Sequence, residues 1–233
     1  MEKRILGLIL ARGGSKRIPR KNIKLLGHKP LMAYTIKTAL DSNVCTDVIV
    51  STEDKEIAEI AKKFGAEVPF LRDEYYAGDK ITDFQVCKHV TEELSKVGRN
   101  YDYIFILRPT QPFRIIEDMK KALDLIKSGR FTSVRSVSKV RQYPQWMKII
   151  KDDQLHSFLG LTTPDERIRS QDLPVVYILN GVCDIVDVKN LFDKEESLYG
   201  NKLGALIIEQ DRAIDLDDEY DWRLAEMYLE RLK

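Results

Sequence analysis

A nearly continuous apolar run from Ile5 to Ala11 constrains the fold of this chain more than any other feature of its sequence. The run has no polar alternation, so it predicts a strand whose two faces are both buried. Such strands belong to sheets that are covered by helices on both sides. Further strands are expected at 48–50, 67–71 and 103–107, and they alternate with helical patterns at 30–40, 54–64, 84–97 and 116–126.

This alternation predicts an α/β fold with a mostly parallel sheet and helices on both faces. A chain of 233 residues with 43% hydrophobic content can build one full core, so we expect a single domain over residues 1–233. The carboxyl ends of the strands, where ligands bind in such folds, precede Arg12, Ser51 and Arg108. The last third of the chain predicts strands at 175–178, 182–186 and 205–208 and a final helix at 219–232.

The alternation is interrupted from Arg135 to Pro174. This stretch has short apolar runs, several Gln and Pro residues and no clear helical pattern, and its Tyr143–Met147 segment carries aromatic residues. An excursion of this kind is often a lid or a surface for a partner. The alternative is a β-hairpin that packs on the same domain.

The loop after the first apolar run combines two glycines with a local concentration of positive charge. Six cations fall within thirteen residues, although the formal net charge of the chain is only +1. Glycine lets backbone N–H groups approach an anion closely, and the cations neutralise its charge. The loop therefore predicts a polyphosphate site rather than an ordinary solvated loop. The six cations are Arg12, Lys16, Arg17, Arg20, Lys21 and Lys24.

The two best-known phosphate loops do not occur in this sequence. It contains neither G-x-x-x-x-G-K-[ST] nor G-x-G-x-x-G, which disfavours a P-loop ATPase and a dinucleotide dehydrogenase. RNA binding through the loop is also disfavoured, because no aromatic residue lies between Arg12 and Lys24. The nearly balanced total charge gives no argument for a nucleic-acid or membrane partner.

A pair of carboxylates near the C-terminal end provides a candidate metal site. Asp215 and Asp217 bracket Leu216, and in an extended backbone alternate side chains point the same way, about 7 Å apart. Two carboxylates near a phosphate loop suit Mg²⁺, which prefers oxygen ligands and keeps phosphates and waters in its shell. The alternative is that both residues only cap the last helix, as acids favour the positive end of its dipole.

The cysteines bear on the compartment. Cys45, Cys87 and Cys183 are far apart and show no C-x-x-C spacing, so we expect reduced thiols and a cytoplasmic protein. The N-terminus is not expected to be a signal peptide, because its apolar run is short and Arg12 follows at once. No run approaches the ~18 apolar residues of a membrane helix.

The loop ARGGSKRIPRKN resembles the signature of the acylneuraminate cytidylyltransferase (CMP-sialic acid synthetase) family, roughly A-R-x-G-S-K-x-x-x-x-K-N. The segments VIVSTED, RPTQPFR and AIDLDDEYDW resemble further family motifs in the same order along nearly the whole chain. The resemblance implies a Rossmann-like nucleotide-sugar transferase fold. It also implies Mg²⁺-dependent transfer of CMP from CTP to a nonulosonic (sialic-type) acid, with release of pyrophosphate.

The same resemblance implies roles for individual residues. Nucleotide binding would fall to Ala11, Arg12, Gly13, Gly14, Ser15, Lys16, Lys21, Asn22 and Arg72. Catalysis would fall to Arg12, Lys21, Asp215 and Asp217, and the last two would also hold Mg²⁺. The acceptor would contact Arg108, Thr110, Gln111 and Asn180. The excursion near 135–174 would be the dimerisation arm of a homodimer, reaching the cleft of the neighbouring subunit.

Three positions depart from the family pattern. Glu53 stands where Asp is usual, Arg108 replaces a Gln, and Ile178 stands where many members have Arg. Because an acidic sugar brings a carboxylate, we hypothesise that Arg108 binds it; the alternative is a salt bridge to a local acid such as Glu117 or Asp118. The departure at Ile178 keeps a different acceptor, such as a neutral sugar-1-phosphate, open as an alternative. A protein that binds a nucleotide without turning it over is a further alternative.

Overall fold

The apolar run at the N-terminus forms an interior strand of a seven-stranded mixed sheet in the computed structural model, which describes residues 3–162, 167, 169–193 and 197–232. The strands are β1 (Ile5–Leu10), β2 (Leu25–Leu26), β3 (Lys29–Pro30), β4 (Asp47–Ser51), β5 (Tyr103–Leu107), β6 (Ser133–Lys139), β7 (Lys148–Lys151), β8 (Gln154–Ser157), β9 (Tyr177–Leu179), β10 (Asp184–Asp187) and β11 (Leu203–Ile207). The helices are α1 (Leu31–Asp41), α2 (Lys55–Lys63), α3 (Asp83–Lys96), α4 (Ile116–Lys127) and α5 (Glu219–Arg231).

The order of the strands creates a ligand-binding crevice beside β1. The sheet runs β11-β6-β10-β5-β1-β4, and β9 pairs with β6. β1 is parallel to both of its neighbours, β4 and β5. After β1 the chain adds β4 on one side of it and then β5 on the other, so the strand order reverses at β1. In α/β sheets, ligands bind at the carboxyl ends of the strands where the order reverses in this way. β10 is antiparallel to β5 and β6, and β9 is antiparallel to β6, whereas β11 is parallel to β6. Five of the seven strands therefore run in the same direction, so the sheet is mostly parallel as predicted.

Side-chain alternation along β1 feeds two apolar layers. Ile5 and Ile9 belong to a cluster that includes buried residues of α1, α2 and α4. Leu6 and Leu8 belong to a second cluster on the other face, with buried residues of α3. This explains why the run has no polar alternation, because helices remove both faces of the strand from water.

A third apolar cluster fixes the C-terminal part of the chain against the cationic loop. Ile18 from the loop packs with Leu216, which lies between the two acidic residues, and with Trp222 of α5. All three side chains are buried. Burying such side chains contributes about 1.5–3 kcal/mol each, so this cluster is a strong tie between the two ends of the chain.

The segment 67–71, predicted to be a strand, contributes only an isolated bridge between Glu67 and Ile49. The prediction is therefore wrong beyond one residue. Pro69 interrupts the segment, and because proline has no N–H group it cannot extend a ladder of hydrogen bonds. The chain still follows the edge of the sheet, since Arg72 N donates to Thr52 O at 2.8 Å.

The excursion begins later than predicted. Residues 135–139 continue the central strand β6, and the chain leaves the sheet only after Lys139. β7 and β8 then form a separate two-stranded hairpin that exposes Ile150, Leu155 and, just after β8, Phe158. Residues 163–166 and 168 of the predicted arm lie outside the described residues.

The cysteines and helices bear on two further expectations. Cys45, Cys87 and Cys183 are free thiols, as predicted. No helix in the described part of the chain has the length and apolar character needed to cross a membrane.

Candidate active site

Two adjoining cavities open where β1 and β5 end. The larger has a volume of about 450 Å³ and is lined by the cationic loop together with Arg108, Thr110 and Asp217. The smaller has a volume of about 260 Å³ and is lined by Arg72 and the segment from Tyr76 to Asp79, among others. Both cavities share the residues Leu10, Arg12 and Asp83. The crevice therefore has room for a ligand with two parts joined above Arg12.

Backbone contacts hold the start of the loop in place. Ala11 N donates to Ser51 O at 3.1 Å, which extends the pairing of β1 and β4 by one residue. The buried Asn22 donates from Nδ2 to Arg12 O at 2.9 Å. Ser15 N donates to Gly13 O at 2.9 Å and closes a tight turn. The loop is thus shaped before any ligand binds.

The two glycines of the loop serve different purposes. A Cβ atom on Gly13 would lie 2.7 Å from Asp54 Oδ2, so a larger residue here would displace the Asp54 carboxylate that pairs with Arg20. Its N–H donates to Glu53 Oε1 at 2.6 Å and is therefore engaged within the protein. A Cβ atom on Gly14 would meet nothing within 4 Å, so Gly14 faces open space. Close approach to an anion, expected of both glycines, is open only to Gly14.

The six cations of the loop separate into two groups. Arg12, Lys16, Arg17 and Lys21 line the larger cavity. Arg20 instead pairs with Asp54 and Glu56 at the start of α2. Lys24 pairs with Glu219 at 3.0 Å and lies over the Trp222 ring, 4.4 Å from its centroid. The expectation that all six neutralise one ligand is corrected, because two of them hold the loop to neighbouring helices.

Asp79, which the sequence reasoning missed, forms ion pairs with two of the cations that line the larger cavity. Asp79 Oδ1 lies 3.0 Å from Arg12 Nη1, and its other oxygen pairs with Lys16. These two cations hold the pKa of Asp79 below its usual range. The carboxylate therefore sits where the loop would hold an anionic ligand. Its partners are more than sixty positions away, so no local pattern reveals it.

Residues 215–217, here called the acidic segment, contact the same cationic loop. Lys21 Nζ donates to Leu216 O at 2.6 Å and to Asp217 Oδ1 at 3.2 Å, and Arg17 pairs with Asp217 Oδ2 at 3.3 Å. The segment is anchored further because Leu216 N donates to Thr110 O at 3.0 Å. Asp217 therefore lies in the same cleft as the loop, whereas its predicted partner Asp215 lines a separate cavity with Arg141 and Tyr228.

Asp215 has an unusual electrostatic environment. Its pKa is raised by partial burial and by the nearby Asp217 carboxylate, against a hydrogen bond from Thr110 that lowers it. A divalent cation would relieve the repulsion that the Asp217 charge exerts on the Asp215 carboxylate. The capping role falls instead to Asp218, whose side chain accepts from the backbone of Tyr220 and Asp221 at the start of α5.

Arg108 is engaged by acids, but not by those expected. Its Nη2 lies 2.6 Å from Asp83 Oδ2 and its Nη1 lies 3.2 Å from Asp184 Oδ2. Burial alone would lower the pKa of Arg108, and the two carboxylates outweigh it, so the pKa is raised. Asp118, one of the acids proposed as its partner, pairs with Arg212 at 2.7 Å. Tyr199 completes the group, with its hydroxyl 3.3 Å from Arg108 Nη2.

The other predicted acceptor residues lie differently from one another. Thr110 lines the larger cavity. Gln111 is only 1% exposed, and its side-chain amide lies in the protein interior. Asn180 donates to Ser138 Oγ at 2.8 Å and accepts from Val182 N at 3.1 Å, so its amide shapes the turn before β10. Among the described residues, neither Gln111 nor Asn180 belongs to the lining of the two cavities.

A cationic loop that meets a carboxylate at the switch point of an α/β sheet is typical of proteins that bind phosphorylated ligands. The sequence profile of the family described as "Cytidylyltransferase" matches residues 6–177 of this chain. The chain therefore belongs to the cytidylyltransferase family and is a nucleotidyltransferase. The family predicted from the loop signature is confirmed.

Individual relatives resemble this chain over almost its whole length. A CMP-N,N'-diacetyllegionaminic acid synthase from Legionella pneumophila is 36% identical over 229 residues, covering 97% of each chain. A pseudaminic acid cytidylyltransferase from Campylobacter jejuni is 30% identical over 227 residues, covering 95% of this chain and 94% of that protein. A solved CMP:2-keto-3-deoxy-manno-octonic acid synthetase complexed with CTP has a TM-score of 0.72 at 14% identity, covering 99% and 100% of the two chains. That structural similarity confirms the fold.

Proposed function

We propose that this protein transfers CMP from CTP to a hydroxyl of an acidic nonulosonic sugar, with release of pyrophosphate. The observation that carries the proposal is the meeting of Lys21 and Asp217, which places phosphate-binding cations against potential metal ligands. The two relatives described above are both named for acidic sugars, legionaminic and pseudaminic acid, which favours this acceptor over a neutral sugar-1-phosphate.

The two cavities support a division of the nucleotide. The base and ribose would occupy the smaller cavity beside Arg72, with the triphosphate passing over Arg12 into the larger one. Arg12, Lys16 and Lys21 would hold the phosphates, together with the open backbone at Gly14 and Ser15. Ala11, Gly13 and Asn22 would act by shaping the loop, since their hydrogen bonds are to the protein itself.

The residues of the acidic segment fit a divalent cation. Asp215 and Asp217 offer two carboxylates whose charges are close enough to interact, and Mg²⁺ is often bound by one or two carboxylates plus phosphate oxygens. When bound there, Mg²⁺ would neutralise charge on the α-phosphate and lower the pKa of the attacking hydroxyl. Lys21 and Arg17, which now pair with Asp217, would be released to the triphosphate.

The transfer itself depends on position and charge. An acceptor hydroxyl oxygen bonds to the α-phosphorus, the bond from that phosphorus to the bridging oxygen breaks, and the hydroxyl proton is lost to the surroundings. Arg12 and Lys21 would stabilise the negative charge that grows on the departing pyrophosphate, a contribution of roughly 3 kcal/mol for such a group. The loop is held by backbone contacts, so little reorganisation accompanies this step.

The acceptor would approach from the Arg108 side of the larger cavity, beside Thr110. A sugar carboxylate there would share the Arg108 guanidinium with Asp83 and Asp184. We propose that Arg108 binds this carboxylate and that Gln111 and Asn180 support the wall from behind it. Strong acceptor selectivity is the expected consequence, because a carboxylate excluded from water must be paired.

Assembly and location complete the proposal. We propose a cytoplasmic homodimer whose arm lies within residues 135–174. Support comes from the apolar residues that this stretch exposes, including Trp146, Ile150 and Phe158. Large exposed apolar patches mark surfaces that associate with other proteins.

A pyrophosphate-release screen tests the function. The purified protein is incubated with Mg²⁺, each of the four common nucleoside triphosphates, and a panel of nonulosonic acids and neutral sugar-1-phosphates. We expect release that requires both CTP and an acidic sugar. Release with neutral sugar-1-phosphates alone would establish the alternative acceptor, and CTP binding without release on any sugar would indicate a nucleotide-binding protein.

A further inference from the structure

One glutamate connects two separate parts of the cleft. Glu53 follows β4, and its Oε1 accepts the Gly13 N–H at 2.6 Å. Its Oε2 accepts from Arg72 Nη2 at 2.9 Å. The two oxygens of one carboxylate therefore connect the cationic loop, whose side chains line the larger cavity, to Arg72, which lines the smaller one.

The burial of this pair makes the connection energetically important. The side chain of Arg72 is 3% exposed and that of Glu53 is 16% exposed. An arginine charge in such a place depends on its carboxylate partner, because removing one member of a buried pair leaves an uncompensated charge. Arg72 Nε is also buried with no hydrogen-bond partner in the described structure, so Glu53 determines much of the orientation of the guanidinium.

The orientation of Arg72 bears on which base the cavity accepts. A guanidinium offers only donors. The pairing edge of cytosine presents acceptors at O2 and N3, whereas uracil carries a proton on N3 and cannot accept there. An arginine aimed at this edge therefore distinguishes the two bases, and it does so only while it is held in place.

We propose that Glu53 is a positioning residue that holds Arg72 and the cationic loop in a fixed arrangement relative to each other. The selection of the base and the binding of the phosphates then both depend on this one side chain. This inference rests on the proposed nucleotide site. Glu53 acts through its two partners and touches no reacting atom. Because it accepts from the Gly13 N–H, it also fixes the orientation of the Arg12–Gly13 peptide, one residue before Gly14 and the open part of the loop.

The length of the side chain is part of the inference. The glutamate side chain spans the gap between the Gly13 N–H and Arg72 Nη2. Shortening the side chain by one methylene withdraws the carboxylate by about 1.5 Å, and contacts of 2.6 and 2.9 Å cannot both survive that change. Glutamine keeps the length and can still accept from Gly13, but its amide nitrogen cannot accept from Arg72.

The test compares nucleotide affinities without requiring turnover. Calorimetric titration with CTP and with UTP is performed on the wild type, Glu53→Gln, Glu53→Asp, Arg72→Gln and the Glu53→Gln/Arg72→Gln double variant. Glu67→Gln serves as the matched control, since Glu67 pairs with Arg99 outside both cavities. Thermal unfolding of every variant reports on folding.

We expect Glu53→Gln to weaken CTP binding by about 10- to 100-fold and to leave UTP binding nearly unchanged, so that the preference for CTP is lost. The double variant should match Arg72→Gln, because Glu53 acts on the base through Arg72. Glu67→Gln should bind both nucleotides like the wild type. If Glu53→Gln fails to fold, Glu53→Asp is compared instead; because it disturbs the Gly13 contact as well, both affinities should fall, and the loss for CTP should exceed the loss for UTP.

Equal weakening of CTP and UTP by the Glu53 variants would overturn the inference, as would a lowered melting temperature with an unchanged preference for CTP. A wild type that binds both nucleotides equally would overturn it too. Failure of the proposed function is seen separately, as an absence of pyrophosphate release by a wild type that still prefers CTP.

Discussion

Lys21 Nζ lies 3.2 Å from Asp217 Oδ1, although the two residues are 196 positions apart in the chain. The same ammonium group donates to Leu216 O at 2.6 Å. Leu216 is fully buried and packs with Ile18 from the cationic loop. The apolar contact therefore fixes the distance between the cation and the carboxylate, and the two ends of the sequence form one site.

The cations that line the cleft should matter for turnover far more than those that hold the loop. We expect Arg12→Ala and Lys21→Ala each to lower kcat/KM for CTP by roughly 100-fold or more, since charge on the leaving pyrophosphate loses a stabilising partner. Lys24→Ala is the control within the same loop, because Lys24 pairs with Glu219 and packs on Trp222. Near wild-type kinetics for either Arg12→Ala or Lys21→Ala would show that the loop is not the triphosphate site.

Asp79 pairs with Arg12 and Lys16, and under the proposed function it would compete with the phosphates for these two cations. We expect Asp79→Asn to tighten the binding of inorganic pyrophosphate by about two- to five-fold, the range typical of exposed ion pairs. Titration at low and high salt measures the effect, which should shrink at high salt. Weaker binding by Asp79→Asn would show that Asp79 instead orients the two cations for the ligand.

The raised pKa of Asp215 predicts a pH dependence. Metal binding needs the ionised carboxylate, and protonation begins at a higher pH than for an ordinary aspartate with a pKa of about 3.9. Activity at limiting Mg²⁺ should therefore fall as the pH decreases through a value above that range. Excess Mg²⁺ competes with the proton and should move this limb to lower pH.

Thr110→Val provides the variant for this profile. It removes the hydrogen bond that lowers the pKa of Asp215, so the acidic limb should move to higher pH. If the acidic limb of the pH–activity profile shifts neither with the Mg²⁺ concentration nor in Thr110→Val, Asp215 is excluded as the titrating group.

The arm within 135–174 should hold two copies together. Trp146 is partly exposed, and its ring contacts that of Tyr143 edge to face at 5.7 Å. Trp146→Glu should weaken the dimer, because it places a charge in a contact that excludes water. Val97→Glu is the control, since Val97 is an exposed apolar residue at the end of α3. Sedimentation of the wild type as a monomer at micromolar concentration would defeat this prediction.

Much of the fold could be predicted from local patterns. The strand Tyr103–Leu107 and the helices α1, α3 and α4 lie within one or two residues of their predicted bounds, because hydrophobic periodicity and glycine stops are local signals. The segment 67–71 has strand-like composition, but Pro69 prevents the pairing. The start of the arm was misplaced because β6 carries polar residues, Ser136 and Ser138, whose hydroxyls bond to buried partners.

The site was predicted as a set of residues but not as a network. The sequence places Arg12 and Arg108 directly after strands, and the structure brings both side chains to the larger cavity, because strand ends follow from the topology. It does not reveal that Asp79 meets Arg12, that Arg20 meets Asp54, or that Arg108 meets Asp83 and Asp184, because each pair joins distant segments. Partner choice between charged residues depends on packing, and a sequence alone does not specify it.

The central claim is that the cationic loop and the acidic pair form a single triphosphate and metal site. The most direct test is Asp217→Asn, assayed for Mg²⁺-dependent pyrophosphate release and for CTP binding in the absence of metal. Asp218→Asn is the control, because Asp218 caps α5 and asparagine caps a helix about as well as aspartate, so this variant should keep both its fold and its activity. We predict that Asp217→Asn abolishes release while metal-free CTP binding is kept or strengthened, since Lys21 and Arg17 lose a competing carboxylate. Undiminished Mg²⁺-dependent release by Asp217→Asn would contradict the account.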